Sequence, residues 1–227
     1  MELRELSPNV HMFTTYKELP KWGKIPANGL YLVGDSGVLL IDTPWDQKQC
    51  EGLLEIIWHR HRKQVKYAVA THFHDDRTGG LAEMKKAGVK TYSSELTRAY
   101  CKAQGEEMAE YFFRGDTTFN LGNLRVDVRF PGAGHSPDNL IAAIEPIGIL
   151  YGGCFVKSLE SKGIGNLSDA NLKSWKKAMK WTKRKYGNYR LVVPGHYAVS
   201  GPENLDHSLN LIQEEIRKQK NEKKKLD

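Results

Sequence analysis

A run of apolar character, Val65 to Ala70, ends in Thr71-His72-Phe73-His74-Asp75-Asp76-Arg77-Thr78-Gly79-Gly80. The run reads as a strand, and residues two apart in a strand project from one face. His72 and His74 therefore point the same way at the strand's end, and Asp76 follows where the backbone turns out of the sheet. Imidazole nitrogens and a carboxylate converging there suit a borderline-soft divalent ion, zinc above all. Packing alone does not ask for such a cluster. The fold must present this strand end as part of a site.

Other segments repeat that arrangement. His135 follows a strand in Phe130-Pro131-Gly132-Ala133-Gly134-His135-Ser136-Pro137-Asp138-Asn139, Cys154 follows one in Tyr151-Gly152-Gly153-Cys154, and His196 follows one in Val192-Val193-Pro194-Gly195-His196. Small residues before each candidate let the backbone approach closely. The set His72, His74, His135, Asp76, Cys154 and His196 exceeds one tetrahedral zinc site and matches two open sites sharing a water. His11, His59, His61 and His207 lie on strand or helix patterns without partners and read as structural or surface residues.

Between these segments, strand and helix patterns alternate with short Gly-rich joints, the mark of a layered α/β protein. Val10–Tyr16 and Gly29–Asp42 read as strands of an opening meander, and Gln47–Arg62 as a helix. Leu81–Ala87 and Ser94–Gln104 read as helices around a short strand. Thr118–Phe130 reads as a hairpin turning at Gly122-Asn123, because Leu124, Val126, Val128 and Phe130 alternate with polar residues. Leu140–Ile144, Ile147–Gly152 and Arg190–Val193 complete the strands; Asp169–Lys185 and Pro202–Lys218 complete the helices. The two halves are similar in plan, and no Pro- or Ser-rich linker divides them. Residues 1–227 are therefore expected to form one domain.

The formal net charge of +7 is concentrated in lysines between Lys173 and Lys185 and in the tail from Lys218 to Lys225. These read as solvated helix faces rather than a nucleic-acid surface, since no aromatic ladder accompanies them. No run approaches the ~18 apolar residues of a membrane span. The first residues lack the apolar centre of a signal peptide, which fits a cytoplasmic protein or a mature form with an added Met. Cys50, Cys101 and Cys154 make no disulfide framework. Cys50 and Cys101 sit in helical patterns as small core residues.

The four motifs resemble, in order and nearly end to end, those of the class B metallo-β-lactamases, subclass B1. That resemblance implies a four-layer αβ/βα sandwich in which two mixed sheets are flanked by helices. It places one zinc on His72, His74 and His135 and another on Asp76, Cys154 and His196. Broader relatives of the fold, acting on lactones, thioesters or phosphodiesters, carry His and Asp where Arg77 and Cys154 stand. The implied activity is hydrolysis of the β-lactam ring of penicillins, cephalosporins and carbapenems by zinc-bound hydroxide steered by Asp76, without a covalent acyl-enzyme. No S-x-x-K with K-T-G is present to supply a serine nucleophile.

The same resemblance gives Lys157 the substrate carboxylate and Asn166 the carbonyl, where an amide donor supports the developing oxyanion. It sets Trp22, on a long connection from Tyr16 to Asn28, in a flap over the drug, with Trp45 on the opposite wall. Arg77 is expected to bond Asp76 or Cys154 from behind. A periplasmic monomer, with no nucleic-acid or membrane partner, completes the expectation.

Overall fold

The computed structural model describes residues 1–20 and 22–225. Strands β1 (Glu2–Ser7), β2 (Val10–Leu19), β3 (Gly23–Gly34) and β4 (Gly37–Ile41) form an antiparallel meander. Strands β5 (Val65–Val69), β6 (Lys90–Ser94) and β7 (Tyr111–Phe113) extend it in parallel, giving a seven-stranded mixed sheet in sequence order. A second sheet runs β12-β11-β10-β9-β8, built from β8 (Thr117–Asn120), β9 (Arg125–Arg129), β10 (Ile141–Glu145), β11 (Ile149–Gly153) and β12 (Leu191–Pro194). Only its β11–β12 pair is parallel.

The sheets pack face to face. Leu30, Leu32, Leu39, Ile41 and Val69 from the first meet Val126, Val128, Ala142, Ile144, Ile149, Tyr151 and Val193 from the second. Each fully buried aliphatic side chain in this layer contributes about 1.5–3 kcal/mol of transfer free energy. Parallel strands need helical crossovers, and these supply the outer layers. Helix α1 (Gln47–His61) joins β4 to β5 and buries Cys50, Leu53 and Ile57, spaced three and four apart on one face. Asp46 caps it by accepting from Gln49 N at 2.9 Å, and Arg62 ends it with a left-handed φ of 52°. Short α2 (Asp75–Thr78) and α3 (Leu81–Lys86) follow β5, and α4 (Glu95–Gln104) links β6 to β7.

On the far side, α5 (Leu172–Tyr186) and α6 (Glu203–Lys223) cover the second sheet. Trp175, Ala178, Met179 and Tyr186 of α5 are buried with Leu205 and Ile212 of α6. Most lysines of α5 lie on its opposite, solvated face. Helix, sheet, sheet and helix make the four-layer sandwich. Among the described residues, no helix is long and apolar enough to cross a membrane. Cys50 and Cys101 are buried free thiols, as their helical spacing implies.

Three differences from the sequence reading have physical causes. Strands β1 and β7 went unforeseen because both are edges of the first sheet. Their largely exposed side chains carry little hydrophobic alternation. Helix α5 begins at Leu172 rather than Asp169, since Asn171 takes the capping position and accepts from Ser174 N at 3.0 Å. The expected long connection from Tyr16 to Asn28 is mostly strand. β2 and β3 stay paired out to Leu19 and Gly23, leaving a short turn that holds Trp22, while Lys21 lies outside the described residues.

Candidate metal centre

All four sequence motifs arrive at one place, where β5, β11 and β12 end. β5 runs up to Val69, and Asp42, just past β4, fixes the departing chain. Asp42 accepts from Thr71 N at 2.7 Å and Thr71 Oγ1 at 2.8 Å. The next residue is His72. Its Nε2 lies 3.1 Å from His74 Nδ1, which lies 3.2 Å from His135 Nε2. Tetrahedral zinc at about 2.0–2.1 Å from each nitrogen spaces its ligands roughly 3.3–3.4 Å apart, so the three rings are already set at nearly that spacing.

The second group is equally tight. Cys154 Sγ is 3.2 Å from His196 Nε2 and 3.5 Å from Asp76 Oδ2, and His196 Nε2 is 3.3 Å from that same oxygen. His72 links the groups, its Nε2 standing 3.9 Å from Asp76 Oδ1. The ligand atoms of His72, Asp76 and Cys154 also lie within 4.8 Å of one another.

Electrostatics favour a cation here. Burial, then the neighbouring charge of His74, holds His72 well below the usual imidazole range. Burial and Lys157 do the same for His135. Both rings therefore stay neutral with lone pairs to give. Burial opposes charge on Asp76 as well, yet Arg77, His196 and His72 together outweigh it and keep the carboxyl well below its ordinary value. Burial also works against charge on His196, but the sulfur of Cys154 and the carboxylate of Asp76 push it up to about 9. A pocket that raises an imidazole so far is one that attracts positive charge. Three imidazole nitrogens beside a sulfur, a carboxylate and a fourth imidazole form a donor set that fits zinc.

The groups behind the donors set their orientation. His196 Nδ1 donates to Pro26 O at 2.6 Å and turns Nε2 inward. His74 Nε2 meets Asp169 Oδ2 at 3.1 Å and so presents Nδ1. Arg77, fully buried, donates from Nη2 to Asp76 Oδ2 at 2.7 Å, Cys154 Sγ at 3.0 Å and Gly195 O at 2.9 Å. Its Nη1 reaches Asn28 O at 2.6 Å and the Tyr151 hydroxyl at 3.0 Å, and that hydroxyl donates to Asp42 at 2.6 Å. Gly195 is required by this crowding. A Cβ there would stand 2.7 Å from Cys154 N and 2.8 Å from Arg77 Nη2.

A cleft of about 820 Å³ opens over the centre, lined by Trp22, Trp45, His74, Asp76, His135, Lys157, Asn166 and His196 among others. Lys157 is only 8% exposed, its ammonium 5.4 Å from the Trp175 ring, and burial lowers its pKa. Asn166 is exposed, its Oδ1 accepting from Ser168 N at 3.1 Å. Trp22 is 58% exposed at the ribbon turn, whereas Trp45 is 6% exposed in the wall. His11 instead stacks on Tyr31 at 4.6 Å, His59 pairs with Glu55, and His207 meets Ser161 O at 2.9 Å.

Asp42, Tyr151, Asn28 and Asp169 escaped the sequence reading. Asp42 ends an apolar strand and looked like an ordinary turn residue; Asp169 looked like the start of a helix. Neither carries a local signal of its partner.

Residues 22–196 match the model of the metallo-β-lactamase superfamily. The chain belongs to that superfamily. It is 34% identical over 220 residues to the metallo-β-lactamase type 2 of Elizabethkingia meningoseptica, an alignment covering 97% of this chain and 88% of that protein. It is 37% identical over 188 residues to the type 2 enzyme of Bacillus cereus, covering 83% and 73%. A solved metallo-β-lactamase from Pontibacter korlensis superposes with a TM-score of 0.90 at 36% identity, covering 93% of this chain and 98% of that one. Membership in the metallo-β-lactamase superfamily accounts for the metal-ready donors, and the subclass B1 resemblance agrees with these type 2 relatives.

Proposed function

We propose that this metallo-β-lactamase is a zinc-dependent hydrolase that opens the β-lactam ring of penicillins, cephalosporins and carbapenems. The observation that carries the reading is the convergence of six donors into two adjoining triads under one cleft. We assign two zinc ions per chain, the first to His72, His74 and His135 and the second to Asp76, Cys154 and His196. Zinc held there supplies Lewis acidity and lowers the pKa of water towards ~7.

The protein's own groups then do the positioning. Asp76 gives Oδ2 to Arg77 and keeps Oδ1 on the His72 side, where it accepts a hydrogen bond from the attacking water. Water attacks the ring carbonyl directly, so no acyl-enzyme forms. Lys157 holds the substrate carboxylate, a task suited to a compact charge on a residue that lines the cleft. The Asn166 amide N–H polarises the carbonyl. Trp22 covers the apolar face of the drug from the ribbon turn, and Trp45 forms the facing wall. We also assign a single domain, a monomer without nucleic-acid or membrane partners, a periplasmic location and a part in antibiotic resistance, all from the B1 resemblance.

The test combines metal analysis with hydrolysis of a chromogenic cephalosporin, with and without chelator. Ring opening that is lost on chelation and restored by zinc is expected. Absence of ring opening by protein carrying two zinc ions would defeat the proposal.

A further inference from the structure

The cleft has lysines on the segment after β11, where the carboxylate of Glu160 accepts from Ala198 N at 3.2 Å, and acidic residues elsewhere in its lining. Lys157 and Lys162 both follow β11; Asp75 follows β5 and Glu106 follows α4. The candidate ligands His74, Asp76, His135 and His196 line the same cleft.

Two observations show that both groups are set for a ligand. The hydrogen bonds of Lys157 among the described residues run through its backbone, to Ser208, which leaves the ammonium of this nine-tenths buried, cleft-lining residue without one. In the acidic group Lys17 binds Asp75 at 2.6 Å and lies over Trp45, so its charge is already engaged. Glu106 is half-buried and makes no ion pair of its own among the described residues. Burial, then the charge of Asp75, raises its pKa. A cation placed beside it would remove that penalty.

A bicyclic β-lactam carries its carboxylate at one end and its acylamino side chain at the other. Lys157 neighbours His135, His135 meets His74 at 3.2 Å, and Glu106 neighbours His74 and Asp75, so a drug with its carboxylate on Lys157 would send its side chain across the centre towards Asp75 and Glu106. We propose that Glu106 is a specificity-determining residue that favours β-lactams with a cationic acyl side chain over those with an anionic one. This rests on the function proposed above.

The experiment uses zinc-loaded protein and three penicillins that differ at the side-chain α-carbon: ampicillin (ammonium), benzylpenicillin (hydrogen) and carbenicillin (carboxylate). The ratio of kcat/KM for ampicillin to that for carbenicillin is compared among wild type, Glu106→Gln and Glu106→Lys. Attraction of one charge and repulsion of the other at a half-buried site predict a fall of about fivefold or more in the glutamine variant. The lysine variant should fall further. In the wild type the ratio should also shrink at about 1 M salt, where the Debye length is roughly 3 Å. Quenching of tryptophan fluorescence by the three ring-opened products gives an independent reading and should follow the same charge order. A ratio constant within about twofold across the three proteins, with all three drugs opened, overturns the role of Glu106 alone. Hydrolysis of none of them by zinc-loaded protein overturns the functional reading and this inference with it.

Discussion

Arg77 and Asp76 are neighbours in the chain, and their charged ends meet at 2.7 Å beneath the metal centre with both side chains buried. The same guanidinium faces Asp42 at 3.5 Å and donates to the sulfur of Cys154. Replacing it with an apolar group of similar length leaves two carboxylates in the interior without their cation. Arg77→Met should therefore cost about 3–5 kcal/mol in denaturant unfolding. Arg77→Lys should recover only part, because one ammonium cannot span Asn28, Gly195 and Asp76 together. Wild-type stability in the methionine variant would refute this account.

The two triads should respond differently to acid. His72 and His135 sit well below the usual imidazole range, so protons do not compete for them at neutral pH. His196 is pushed up to about 9 and must lose a proton before it can bind metal. Affinity at the second site should fall about tenfold per pH unit below 9, while the three-histidine site holds its metal. In chelator-treated protein the sign is opposite for folding. A pKa raised above its unfolded value of 6.5 contributes stability that is complete below 6.5 and lost as pH rises through about 9. Metal titrations and unfolding curves from pH 6 to pH 9 check both slopes.

Asp169 fixes the ring of His74 from a loop 95 residues away. Such partners orient a ligand and raise its basicity, and losing one costs about 10–100-fold in metal affinity. Asp169→Ala should show that loss at the three-histidine site in competition with a chromophoric chelator. Little change in unfolding free energy is expected, since the Asp169 side chain is 33% exposed. Unchanged zinc affinity would show that the contact is incidental.

The contrast between His74 and Asp169 also explains what the sequence could and could not disclose. His72, His74 and Asp76 are legible because local spacing at a strand end sets their common direction. His135, Cys154 and His196 are legible for the same reason, each following a strand and small residues. The central strands and α1 carry burial patterns with a clear period. Edge strands β1 and β7 do not, because solvent accepts almost any residue there. Asp42 is 29 residues from Thr71 and 109 from Tyr151, so its role exists only after the sheets have packed. Glu106 became visible as a cleft residue only when the chain leaving α4 was set near Asp75.

Lys157 offers a test that separates substrate binding from metal binding. Lys157 lines the cleft, and the candidate ligands Cys154 and Asp76 favour its charge while burial and Arg77 oppose it. Lys157→Ala removes a positive charge near the centre without removing a donor to metal. Zinc content should therefore stay at the wild-type level. For a carboxylate-bearing drug KM should rise by about tenfold or more, the effect of deleting a hydrogen-bonded charge partner worth roughly 1.5–3 kcal/mol. kcat should change less, because the carboxylate contact is made equally before and during ring opening. An analogue whose carboxylate is esterified has no charge to lose and should be hydrolysed with nearly the same KM by both proteins. Equal damage to the acid and the ester would mean that Lys157 shapes the cleft instead of recognising the anion.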